Sequence, residues 1–360
     1  MSSRKLLPLP ALKADQLYHA ATCLGLATTG IKASIENAIT HYIAERRPFA
    51  KVPRIISVDM GIKNLGLCVL EAPSLVGEPR TRDGIAKSTA VKVLAWKKVD
   101  VLSQVAPMTI TTPAKMKGQR AAQVADASIF GPSKLSKTAL SIAQDLLHTY
   151  QPSHILIERQ RFRSGGASAV QEWTLRVNML ESMLYACFET MKSNSNLPSV
   201  FPDTVEMSPA RVARFWCGGT SEAEGTDVEA ALSRPQLKSK MLLSKQSGKI
   251  AGRDKLAKQN KIDKNVKIAV VKAWLAAAET PLPPHLDVQL EFTDEARLVA
   301  DAFGSDTKKT RGGRKEAALS TDSGPVKLDD LADSLLQGLA WVRWEENRRK
   351  LAALLQEPQG

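Results

Sequence analysis

Residues 55–70 read IISVDMGIKNLGLCVL. A short run rich in β-branched residues, Ile55 to Val58, ends in an acid, Asp59. A glycine-containing turn follows, and a second apolar run extends from Leu65 to Leu70. Runs of this length and composition, separated by a turn, predict a strand, a tight connection and a second strand. The acid then sits where an apolar strand runs out, at the edge of whatever core the strand enters.

Working outward, residues 91–96 predict a third strand, closed by Lys97 and Lys98, and the Gly-, Pro- and Arg-rich stretch 73–87 predicts a surface loop. Leu140, Ile142, Ala143, Leu146 and Leu147 recur at helical spacing within a helix expected over 135–150. Pro152 separates that helix from a buried-looking strand, His154 to Ile157, which also ends in an acid, Glu158. A helix over about 169–191, a short strand at 204–206, a helix over 264–278 and a last helix from Leu328 to about Leu355 complete the pattern. Strands followed by strand and helix alternations define an α/β fold with a mixed sheet flanked by helices.

The 360 residues suffice for one substantial core and a small appended unit. No apolar run approaches the ~20 residues of a membrane span, so no membrane partner is expected. Lys and Arg exceed Asp and Glu by 50 to 37, giving +13. Between Arg234 and Lys272 twelve basic residues face only Asp254 and Asp263, so this segment alone carries +10 of that excess. Concentrated positive charge is the footprint of a phosphate-binding surface. Segments 218–260 and 301–324, the latter containing KKTRGGRK, lack sustained periodicity and are expected to be flexible basic insertions. The four cysteines lie far apart with no CxxC pair, which points away from zinc and towards reduced thiols. The opening MSSRKLLPLPAL carries Arg4 and Lys5 and no acid, but is too short and proline-broken to decide targeting.

Residues 1–45 form a separate helical module by pattern. Leu12, Leu17, Ala20 and Leu24, then Ile31, Ile35, Ile39 and Ile43, recur at helical spacing around a glycine-containing break. Its string LKADQLYHAATCLGLATTGIKASIENAITHYI resembles a SAP-type motif, with Lys32 opening the second helix; that resemblance implies a small DNA-binding unit. Residues 46–54 then serve as a basic, proline-marked linker to a body spanning 55–360.

The chemistry is expected from carboxylates placed where a packed core tolerates them poorly. Asp59 and Glu158 each terminate an apolar strand. On the last helix Asp330 and Asp333 are three residues apart and Asp329 and Asp333 four apart, and both spacings place side chains on one helical face. Each acid alone has an ordinary explanation, as a turn residue, a partner of Arg159 or Arg161, or a complement to a helix N-terminus. Together, in strand, strand, helix order, they suggest an oxygen-only site of the kind that selects Mg²⁺ or Mn²⁺.

The strings SVDMGIKNLG, ILIERQRFRSG and KLDDLADSLLQGLAW resemble, in order and spacing, the active-site segments of the fungal mitochondrial branch of the RuvC-like Holliday junction resolvases. The resemblance covers most of the chain outside the two insertions. It implies a ribonuclease H-like fold in which Asp59, Glu158 and Asp333, with either Asp329 or Asp330, bind two Mg²⁺ ions; the bacterial relatives' three-residue spacing favours Asp330. It implies symmetric nicking of a four-way DNA junction by a homodimer in mitochondria, leaving 5′-phosphate and 3′-hydroxyl ends, without a nucleotide cofactor. Gly61 would admit the cleaved strand, and Lys63, Arg159, Gln160, Arg161 and Arg163 are candidates for holding DNA. Two alternatives stay open: a non-catalytic, architectural DNA-binding protein on the same fold, and a related nuclease acting on a hybrid, flap or duplex.

Overall fold

A computed structural model describes residues 8–45, 52–72, 89–101, 130–160, 172–195, 201–217, 232, 264–277, 288–304 and 328–355. In chain order the elements are α1 (Ala14–Cys23), α2 (Lys32–Ala44), β1 (Arg54–Asp59), β2 (Leu65–Glu71), β3 (Thr89–Val99), α3 (Pro132–Tyr150), β4 (His154–Glu158), α4 (Glu172–Ser193), β5 (Asp203–Met207), α5 (Pro209–Cys217), α6 (Lys264–Ala277), β6 (Val288–Phe292), α7 (Asp294–Gly304) and α8 (Leu328–Leu354).

The expected hairpin forms: β1 and β2 pair antiparallel with Asp59 opposite Gly66. β3 continues the meander, while β4 joins the other side of β1 in parallel and β5 joins β4 in parallel. The sheet order is β5-β4-β1-β2-β3-β6. A three-stranded meander extended by parallel strands on the side of its first strand is the ribonuclease H-like arrangement. Here it carries an additional strand, β6, parallel to β3 at the opposite edge.

Both faces of the sheet are covered, which is why its central strands read as continuous apolar runs. Alternation assigns the faces. Ile56, Val58, Leu67, Val69, Ile155 and Ile157 pack on α3 and α4, whereas Ile55, Cys68, Leu70 and Leu156 pack on α5 to α8. Asp59 and Glu158, in step with Ile55 and Leu156, therefore belong to the α8 face.

α8 is the axle of the molecule. Its 27 residues span about 40 Å, and from Leu331 to Arg348 every residue is buried except Asp333. Its first turns lie across β1 and β2, and its later half receives the N-terminal helices. There α1, α2, Leu351 and Leu355 share one apolar cluster. Tyr42 Oη donates to Glu345 Oε1 at 2.7 Å, Asn347 Nδ2 to the Cys23 carbonyl at 2.8 Å and Arg348 Nη1 to the Glu45 carbonyl at 3.0 Å. Gly25, at φ +67°, lies so close to the Trp344 ring that no Cβ would fit. The N-terminal helices thus dock on the body.

Three elements escape the sequence reading. β6 and α5 fall in stretches left unassigned, and α7 runs through Gly304, so the segment expected to be variable from residue 301 begins inside a helix. β3 is also longer than expected, Thr89–Val99. Residues 233–263, with most of the basic block, and residues 305–327 lie outside the described residues.

Candidate active site

Asp59 leaves the C-terminal end of β1 and is 9% exposed. The neighbouring parallel strand β4 keeps Val58 beside Ile157, so the next residue of each strand places Glu158 next to Asp59. From the other side of the same face, the first turns of α8 bring Asp330 and Asp333. Asp59's proton affinity is raised well above the ordinary carboxylate range. The largest cause is burial, followed by the charge of Glu158, a hydrogen bond with Glu158, and the charges of Asp333 and Asp330. The acids that act on Asp59 are thus Glu158 and the three-residue pair of α8; Asp329, on the same turn, is half-buried.

The local sequence explains the close approach. Gly66 faces Asp59 across the hairpin, and a Cβ at Gly66 would fall inside the Asp330 carbonyl oxygen, so the first turn of α8 rests directly on β2. Trp96 of β3 donates from Nε1 to the Leu331 carbonyl at 3.0 Å and fixes the same turn from the side. One turn beyond Asp333, Gln337 reaches under the acids. Its Nε2 donates to Ser57 Oγ at 3.1 Å, to the Val58 carbonyl at 3.1 Å and to the Leu156 carbonyl at 3.4 Å. This one buried amide ties α8 to both strands that deliver the other carboxylates.

Among the described residues, no three His, Cys, Asp or Glu side chains already stand as a coordination shell. One positive charge stands against the acids: Lys267 of α6, whose Nζ lies 2.6 Å from Asp333 Oδ1. The donor set itself, four carboxylates converging on one strand end without sulfur or imidazole, has the chemistry of a hard divalent-cation site.

The remaining candidates distribute unevenly. Lys63 is exposed in the β1–β2 turn. Arg159 is exposed and pairs with Glu206 at 2.9 Å, an arrangement of little energetic weight. Gln160 is half-buried, and its backbone N–H donates to Glu181 Oε2 of α4 at 3.1 Å. Lys32 is exposed at the start of α2, which packs on α8, while Arg161 and Arg163 lie outside the described residues.

Sequence reasoning missed Lys267, Gln337 and Glu181. Gln337 had a readable signal, four residues beyond Asp333 on the same helical face. Lys267 was counted in the basic block and fell in the helix expected over 264–278, but no local signal turned it towards Asp333. Glu181 lay inside a helix read only for its apolar residues.

Sheet order and covering helices define a ribonuclease H-like fold, with acids gathered at the ends of β1 and β4. A family model described as mitochondrial resolvase Ydc2 / RNA splicing MRS1 matches residues 55–351, and the chain belongs to that family. The cruciform cutting endonuclease 1, mitochondrial, of Schizosaccharomyces pombe is 26% identical over 338 residues, covering 94% of each chain. The Saccharomyces cerevisiae protein of the same name is 22% identical, covering 95% of this chain and 85% of that one. The crystal structure of the yeast mitochondrial Holliday junction resolvase Ydc2 superposes with a TM-score of 0.52 at 22% identity, over 95% of this chain and 98% of that one, and supports the fold.

Proposed function

We propose that this protein is a mitochondrial endonuclease that resolves four-way DNA junctions by paired symmetric nicks, acting as a homodimer and using divalent metal ions. The observation that carries the reading is the buried Asp59 surrounded by Glu158, Asp330 and Asp333. Burying a carboxylate among three others is costly, and a site that only binds DNA has no need of it. The names of the relatives, cruciform cutting endonucleases of mitochondria, point the same way.

In this reading Asp59, Glu158, Asp330 and Asp333 would hold the divalent ions, Mg²⁺ or in its place Mn²⁺. Asp330 is preferred to Asp329 because it is among the acids acting on Asp59. When bound, the ions would supply charge neutralisation at the phosphate, activation of a water and stabilisation of the leaving oxygen. The chain's own residues do the rest. Gln337, Gly66 and Trp96 hold α8 at the distance from β1 and β4 that lets the carboxylates converge. Lys63 in the adjacent turn, and Arg159, Gln160, Arg161 and Arg163 after Glu158, are placed by sequence to hold the phosphates on either side of the cut. Hydrolysis breaks the P–O3′ bond and leaves 5′-phosphate and 3′-hydroxyl ends. Two symmetric nicks call for two active sites, hence a two-fold homodimer. Lys32 and the N-terminal helices would add a further DNA contact.

The test is incubation of an end-labelled four-way junction with Mg²⁺ and either the wild-type protein or Asp59→Asn. Paired nicks from the wild type and none from the variant are expected. Junction binding without cleavage by the wild type would overturn the enzyme reading in favour of a non-catalytic nucleic-acid-binding role. Equal cleavage of flap, hybrid and duplex would overturn the junction preference.

A further inference from the structure

Lys267 lies on the inward face of α6. Val270, Val271 and Trp274, three, four and seven residues further on, are fully buried against the α8 face of the core. The lysine is therefore aimed at α8. Its side chain is 18% exposed and that of Asp333 is 27% exposed, with Nζ and Oδ1 2.6 Å apart. Asp333 is also the only residue between Leu331 and Arg348 that is not buried, so the pair stands at the mouth of the acid cluster.

From this placement we infer that Lys267 occupies, in the metal-free protein, the position a divalent cation takes beside Asp333. Loading the site then exchanges an ammonium for the ion. The inference rests on the proposed reading of the carboxylates as metal ligands. An ammonium and a divalent ion held by the same carboxylate repel each other, so the arrival of the ion favours the departure of the ammonium. A lysine suits this role better than an arginine. Its charge is compact and strongly hydrated and sits on a flexible four-carbon stem, so it can swing to solvent, whereas a bidentate guanidinium would hold its carboxylate in a fixed fork. The exchange keeps Asp333 in place and its charge balanced before any ion is present, at the cost of weaker metal binding.

The test is Mn²⁺ binding to the full chain without DNA, followed by the electron paramagnetic resonance signal of the free ion. The proteins compared are wild type, Lys267→Met, Lys267→Gln, Lys272→Met and Asp59→Asn. Lys272 lies on the same helix five residues further on, and its removal changes the net charge equally. Both Lys267 variants are expected to bind Mn²⁺ on the order of fivefold more tightly, the worth of one partly exposed ion pair. Lys272→Met should match the wild type, and Asp59→Asn should bind more weakly. The Mn²⁺ concentration for half-maximal junction cleavage should fall in step. Unchanged or weaker binding by both Lys267 variants, or equal tightening by Lys272→Met, overturns the exchange while leaving the carboxylate site intact. No binding by the wild type, or equal binding by wild type and Asp59→Asn, overturns the carboxylate reading and the exchange with it.

Discussion

Replacing Gln337 by leucine isolates the contribution of one buried amide to the architecture of the acid cluster. Leucine keeps much of the volume and removes the donor. The two contacts at 3.1 Å, to Ser57 Oγ and the Val58 carbonyl, contribute about 1 kcal/mol each on typical hydrogen-bond values. The third, at 3.4 Å to the Leu156 carbonyl, lies beyond the usual N–H···O distance and contributes less. Apolar burial of the leucine recovers part, leaving a net loss of about 1.5–2 kcal/mol, or roughly 2–3 °C in Tm for a protein of this size. The larger effect falls on catalysis. Gln337 sets the position of α8 against β1 and β4 together, and misplacing reacting groups by about 1 Å can cost about 10²-fold in rate. Junction cleavage should drop between about tenfold and a hundredfold, while junction binding in EDTA stays within about twofold. Thermal unfolding followed by circular dichroism and single-turnover cleavage would measure both. A variant that melts and cleaves like the wild type would refute the view that this amide positions the carboxylates.

Three other outcomes follow from the same geometry. Asp59 binds its proton more tightly folded than unfolded, so its ionisation costs the metal-free fold stability as pH rises through the raised value, and the cost vanishes below the ordinary range near 3.8. Asp59→Asn, which can still donate to Glu158, should therefore melt higher than wild type in EDTA at pH 8, with the gap closing as pH falls towards 4; a variant that melts lower at pH 8 contradicts this. Gly66→Ala forces a methyl into the Asp330 carbonyl and should cost about 1–3 kcal/mol together with most cleavage activity, measured by denaturant midpoint and nicking rate. Alanine substitutions of Arg234 and Arg253 in the basic block should weaken junction binding and flatten its salt dependence, and an unaltered slope would remove these residues from the phosphate contacts.

Much of the frame was legible in the chain because its signals are local. Ile55 to Asp59 and His154 to Glu158 announce buried strands that end in acids, and the apolar spacing of α8 announces a core helix. What escaped depended on packing between distant segments. β6 alternates Val288, Leu290 and Phe292, but it is five residues long and follows a proline-rich stretch. α7 buries Ala296 and Ala300, which carry little hydrophobic signal, and exposes Leu298, which misleads. The docking of the N-terminal helices rests on Glu345, Asn347 and Arg348, residues that read as a solvated helix end and are instead buried. Asp329 and Asp330 share a turn and both are compatible with the helical spacing; which of them turns towards Asp59 depends on how α8 crosses β1 and β2, and no local signal records that.

The same crossing explains how the acids are brought together within the fold. Four carboxylates brought together by two strands and a helix repel one another, and the fold must be stable enough to hold them in that state. It does so by enclosing the cluster in rigid, distant attachments: Trp96 and Gln337 on the sheet side, and the α1–α2 cap on the later half of α8. Residual repulsion is relieved locally by Lys267 on Asp333, and it appears in Asp59 as a raised proton affinity. A site built this way keeps its geometry while its charge changes, which is what electrostatic preorganisation of a phosphodiester cleavage site requires.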